Sequence, residues 1–238
     1  AMANNSLDLI GQARLLYQYA AERLAGDVRA PRGAHWPAGP LTEDTLAYFR
    51  DVPEFRNYTL LELPHSPPLV PTGVGDRDWG VTIVRNFLYS ALMVLVWERL
   101  QRSADPQLAA IAAKSLKEVR YHLRHSRDWL VRLGDGTPES HRRAQAAVDY
   151  LLPFTEEFWS TSALEAEALD QGTGVDVPAL RAAWNQTVDE ALLEATLTRP
   201  ADTKRYVPEG KRGVHSEHLG YLLGEVQSLA RQHPGAVW

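Results

Sequence analysis

The sequence predicts an all-α fold, a helical bundle, and three observations carry that expectation. Apolar residues recur at steps of three and four along much of the chain, long segments open on Asp-Pro or Thr-Pro, and no clear strand is visible. Long helices with one apolar face each, joined by Pro- and Gly-rich loops, bury those faces against one another. At 238 residues the chain can bury a sizeable core, and a single helical domain over residues 1–238 is expected.

The elements follow in order. The first helix covers residues 5–25, with Leu9, Ala13, Leu16, Ala20 and Leu24 on one stripe. Pro31 to Pro40 forms a loop, after which Thr42-Glu-Asp-Thr45 starts a short helix reaching about Arg50. Residues 58–63 read either as a turn or two of helix or as a short extended piece. Pro64, Pro67, Pro68, Pro71, Gly73 and Gly75 mark a second loop over 64–78. A central helix runs from about Trp79 to Arg102. Its apolar run Phe87–Trp97 is broken only by Ser90, is too short to cross a bilayer, and reads as a buried helix. Asp105-Pro106 supplies an N-cap and a first-turn proline for a helix to Leu133, with Gly134 as its stop. Thr137-Pro138 repeats that signal for a helix ending near Ser162, kinked or split at Pro153. Asp176-Val-Pro178 opens a helix to about Leu197. A polar loop then leads to the last helix, about His215 to Gln232, closed by Pro234-Gly235.

Composition removes several functions. Net charge is 25 − 30 = −5, so a broad nucleic-acid-binding surface is not expected. The absence of Cys excludes disulfides, thiolate zinc, iron–sulfur ligation and thiol nucleophiles. It fits a reducing compartment, and with no secretory signal in view the expectation is a cytoplasmic protein. Nothing resembles a phosphate-binding glycine loop, a dinucleotide fingerprint or a Gly-x-Ser-x-Gly elbow. Ser126 near His122 and His125 lacks the orienting acid and oxyanion hole that a nucleophile needs.

The run from Ser115 to Leu130 is the most informative. It looks like the second metal-binding helix of a ferritin-like di-iron oxygenase with its ligand pattern damaged. Such bundles hold iron with inward Glu side chains and a Glu-x-x-His pair on each of two helices, because residues three apart share a face. Here His122 stands where the imidazole belongs, Val119 fills the carboxylate position, and Glu118 lies four residues back instead of three. On the first helix the corresponding place is Asp8 with Gly11, which lacks an imidazole, and on the central helix Ser90 and Met93 occupy the inward face. The chain's sole Glu-x-x-His, Glu62-Leu-Pro-His65, contains a proline that keeps it out of a helix interior. No metal site is therefore expected in this chain, and no catalytic residue is assigned.

Longer pieces carry a resemblance. They are Leu7-Asp-Leu-Ile-Gly-Gln-Ala-Arg14 with Tyr19-Ala-Ala-Glu22, Glu43-Asp-Thr-Leu-Ala-Tyr48, Asp105-Pro-Gln-Leu-Ala-Ala-Ile111 and Lys117-Glu-Val-Arg-Tyr-His-Leu-Arg124. Val177-Pro-Ala-Leu-Arg-Ala-Ala-Trp184, His215-Ser-Glu-His-Leu-Gly220 and the tail Pro234–Trp238 complete the set. In these the chain resembles the PaaC family, accessory subunits of bacterial ring 1,2-phenylacetyl-CoA epoxidases. The resemblance implies a ferritin-like fold and pairing with a homologous catalytic subunit, PaaA, that holds the di-iron centre and epoxidises the ring of phenylacetyl-CoA with O2. It implies a structural, non-catalytic role in aerobic phenylacetate catabolism, alongside the other subunits of the complex. It also implies a further helix upstream of where this chain begins and a shorter loop than 64–78. A homodimer of the chain alone remains open.

Two basic clusters are candidates for partner or anion contact. Lys117, Arg120, Arg124 and Arg127 fall at steps of three, four and three on one helix face, suited to coenzyme A phosphates, an acidic partner, or carboxylates of other helices such as Asp8 or Glu22. Lys211 and Arg212 precede His215 and His218, which share a face at the start of the last helix, where an anion could be held. Beside the accessory-subunit reading stand two alternatives: an independent di-metal protein with an unusual ligand set, and a coenzyme A-binding module.

Overall fold

The computed structural model describes residues 2–25, 36–37, 39–65, 77–201, 209–234 and 236. Among these every regular element is helical, as the periodicity predicts. The helices are α1 (Met2–Leu24), α2 (Glu43–Tyr48), α3 (Trp79–Leu100), α4 (Pro106–Gly134), α5 (Pro138–Leu151), α6 (Ala163–Asp170), α7 (Arg181–Glu194) and α8 (Glu217–Gln232). The chain forms two compact units: a central one, Pro64–Val207, and a terminal one made from Met2–Leu63 with Pro208–Trp238.

The central unit is built around α3. By length and hydropathy this helix could span a bilayer, but Val81, Ile83, Val84, Phe87, Leu88 and Leu92 are almost wholly buried, the signature of a core helix. It packs on α4, α5 and α7. Trp184 of α7 is buried beside Phe158 and Trp159, and its indole N–H donates to the Leu88 carbonyl at 3.1 Å. A polar tip thus finds an acceptor inside an apolar contact. Asp105 caps α4 as expected, its carboxylate accepting from the Gln107 and Leu108 N–H groups.

The helix boundaries are defined more closely here. Gly134 is the last residue of α4 and not a left-handed cap. A Cβ there would lie 2.1 Å from the Ala195 carbonyl oxygen, so the glycine permits the ends of α4 and α7 to touch. Thr196, left-handed at φ 57°, donates its hydroxyl to the Gly134 carbonyl at 3.2 Å. The helix expected to run towards Ser162 with a kink or split at Pro153 is split there: it is α to Leu151, and a 3-10 segment, Leu152–Trp159, follows. A separate helix that the periodicity did not announce, α6, then starts at a Ser162–Glu165 capping box. Pro178–Leu180 is likewise 3-10, so α7 begins at Arg181.

The terminal unit joins both ends of the chain. Arg14 and Gln18 of α1 donate to the Glu43 carboxylate of α2 at 3.2 and 3.0 Å, and the Gln18 amide leads the contacts that hold that carboxyl below its usual range. Arg50, after α2, donates to the Tyr17 hydroxyl at 2.6 Å and stacks on Phe55. Gln227 and Arg231 of α8 donate to the Arg50 carbonyl at 2.9 and 2.8 Å. The buried residues of α1 are Asn5, Gln12 and Ala21, whereas Leu9 of the predicted stripe is 38% exposed.

Candidate functional site

The α4 face expected to carry damaged metal ligands lies inside the central unit. Val119 and His122 are both buried, and the Ser126 hydroxyl donates to the His122 carbonyl at 2.7 Å. Ser90 of α3 is buried as well. Asp8 and Gly11 sit half-buried on α1 of the terminal unit. Valine, glycine and serine offer no anionic donor for a di-iron cluster, and one imidazole cannot hold it. Among the described residues no three acidic or His side chains stand close enough to share an ion. Among the described residues, these side chains do not assemble the carboxylate set of a di-iron centre.

The basic stripe on α4 divides. Arg120 donates to Glu98 of α3 at 2.8 Å, and Arg127 pairs with Glu194 of α7. The carboxylates are thus not Asp8 or Glu22 but those of helices packed on the same bundle. Arg124 lies over the Tyr121 ring, and Lys117 is exposed. Beside Glu98 a shallow cavity of about 280 Å³ runs between the end of α3 and the start of α7, edged by Arg99 and Arg102 over Leu95 and Leu180. It holds no acid–base pair at reacting distance.

Another guanidinium, Arg85 of α3, is buried in the same unit. It donates to the Pro64 carbonyl at 2.9 Å, and burial pulls it down to about 10. Burial first, then the charges of Arg85 and Arg77, lower the neighbouring His65 imidazole. His65 Nδ1 meets the Thr82 hydroxyl at 2.6 Å, so the Glu-x-x-His pair points its imidazole to α3 and its carboxylate elsewhere.

That carboxylate forms the most concentrated polar site of the terminal unit. Glu62 Oε1 accepts from Asn57 Nδ2 at 2.6 Å and meets His215 Nδ1 at 2.6 Å. Its Oε2 accepts from the Ser216 N–H and hydroxyl, both at 2.8 Å. The Glu62 and His215 side chains are each 1% exposed. Ser216 is the N-cap of α8, so a carboxylate caps that helix in the favourable direction of its dipole. Gly210 makes room: a Cβ there would stand 2.4 Å from the Asn57 carbonyl oxygen and 3.2 Å from Glu62 Oε1.

His215, read as a possible anion contact, is thus turned inward onto Glu62. Lys211 lies over the Tyr58 ring, Arg212 pairs with Glu209 at 3.2 Å, and His218 is half-buried in the first turn of α8. Sequence reasoning missed Glu62 because two of its three partner residues, His215 and Ser216, lie 153 and 154 residues away and nothing local announces them. The Ser216 hydroxyl points at the carboxylate and not at His215 Nε2, which faces the Phe55 carbonyl at 3.1 Å; the trio is not a hydrolytic triad.

Comparison with known proteins agrees across the full length. The family model described as phenylacetic acid catabolic protein matches residues 1–238. A 1,2-phenylacetyl-CoA epoxidase subunit of Escherichia coli (strain K12) is 42% identical over 238 residues, which is 100% of this chain and 86% of that protein.

Proposed function

We propose, from the premise that this chain belongs to the phenylacetic acid catabolic protein family, that it is a non-catalytic subunit of a phenylacetyl-CoA epoxidase complex. The observation that carries the reading is full-length identity of 42% to one subunit of such an epoxidase. Its task is to pair with and stabilise the catalytic subunit, PaaA in the family, which holds the di-iron centre and works in the cytoplasm. The chemistry of Val119, Ser90 and Gly11 supports a non-catalytic role, since none can ligate iron as a carboxylate would.

The α8 helix offers a surface for such pairing. Tyr221, Leu222, Val226 and Leu229 are each about half exposed or more, a set that partner helices commonly cover.

Co-expression with the catalytic subunit tests the reading. The expected result is a complex whose iron all resides on the partner, and a partner that loses solubility or activity when this chain is omitted. Two metal ions on this chain would instead establish the independent di-metal protein. A fully stable and active partner without it would end the proposal. The coenzyme A-binding module has less support, because Arg120 and Arg127 are engaged by Glu98 and Glu194.

A further inference from the structure

The His215 ring meets an acceptor at each nitrogen. Nδ1 faces Glu62 Oε1 at 2.6 Å, and Nε2 faces the Phe55 carbonyl oxygen at 3.1 Å. A carbonyl oxygen can only accept. Glu62, ringed by the donors Asn57 Nδ2, Ser216 N and the Ser216 hydroxyl, accepts at both oxygens. Both ring contacts are hydrogen bonds only if each nitrogen carries a proton. Both side chains are removed from water.

We propose that Glu62 and His215 form a proton-dependent latch that fastens the start of α8 to the segment 55–62. His215 precedes the N-cap Ser216, whose N–H and hydroxyl are bound to the same carboxylate, so the ring and the helix start are held as one piece. When the ring gives up its second proton, the Nε2 lone pair opposes the Phe55 carbonyl. The Glu62 charge then keeps only neutral donors in a dry site, an arrangement that burial penalises.

Among the described residues, Glu62 and Arg56 are the charged groups shown at the ring's own contacts. Glu62 holds one side. Arg56 Nη1 donates to the same Phe55 carbonyl at 2.7 Å and to the Pro53 carbonyl at 2.5 Å, bringing a second cation towards the ring. On the loop that carries His215, Arg212 is matched by Glu209 and Lys211 lies over Tyr58. The latch governs how α8 is held, not any chemistry, and stands independently of the accessory role.

The experiment is nitrogen-15 NMR of the His215 ring in the full chain, with amide exchange of residues 217–232 followed as the solution is made alkaline and corrected for intrinsic exchange. At neutral pH both ring nitrogens should carry protons. Protection of α8 should fall about tenfold or more, in step with loss of the second ring proton, while α3 stays protected. Three results would overturn the latch: a bare ring nitrogen at neutral pH, α8 protection indifferent to the ring's titration, or a ring that keeps both protons until the whole chain unfolds. Glu62→Gln at neutral pH should lose α8 protection and retain that of α3; protection of α8 equal to the unaltered chain contradicts the proposal. If that variant does not fold, the titration of the unaltered chain decides.

Discussion

Glu62 receives four hydrogen-bond contacts from three residues while its side chain is 1% exposed. Replacing it with alanine strands those donors in a site without water. Glu62→Ala should cost about 3–5 kcal/mol, the scale for breaking a buried pair by removing one partner. Urea unfolding followed by circular dichroism measures it, and a cost under about 1 kcal/mol, the scale of an exposed ion pair, would show the site to be marginal. The residue was visible in the sequence only as half of a Glu-x-x-His pair that Pro64 disqualifies. The carboxylate's structural use depends on a histidine from the other end of the chain. No local pattern encodes such a pairing.

At the scale of elements, helix starts were the most legible features, because capping is chemistry among neighbours within four residues. Thr137 and Ser140 form a capping box at the head of α5, Pro138 takes its first position, and Glu139 in its first turn is bound by Arg142 and Arg143. Hydrogen bonds from Arg142 and then Arg143 hold the Glu139 carboxyl down to about 2. Two outcomes are expected for α5. Thr137→Ala should lower stability by about 1 kcal/mol in thermal or urea unfolding. The Glu139 contribution is fully present above pH 4.5 and should fade as pH drops towards about 2, because its folded-state carboxyl is the stronger acid. Being exposed, it should shrink with added salt; α5 amide exchange that ignores both acid and salt would dismiss it. Helix ends were less legible. Gly134 reads as a stop, but its reason is the Ala195 carbonyl across the bundle, and the α-to-3-10 change at Leu152 depends on how Pro153 is accommodated.

For the whole molecule, the pairing surface is the decisive question. Leu222 and Val226 are exposed on α8, whereas Leu219, Leu223 and Gln227 hold its buried side. Leu222→Lys with Val226→Lys should abolish co-purification with the catalytic subunit and leave the helical circular dichroism unchanged. An intact complex from that double variant would move the pairing surface elsewhere.

From the amino acids alone came the all-α class, the order of the long helices and the family resemblance. Each depends on residues adjacent in the chain or one helical turn apart, where spacing itself sets the geometry. Tertiary structure alone decided which charges meet. Arg120 and Arg127 find Glu98 and Glu194, Gly134 admits Ala195, and Glu62 caps the helix that His215 introduces. Those partnerships join segments from 22 to 154 residues apart, and a carboxylate's choice among many distant cations is settled by packing, not by its neighbours in sequence.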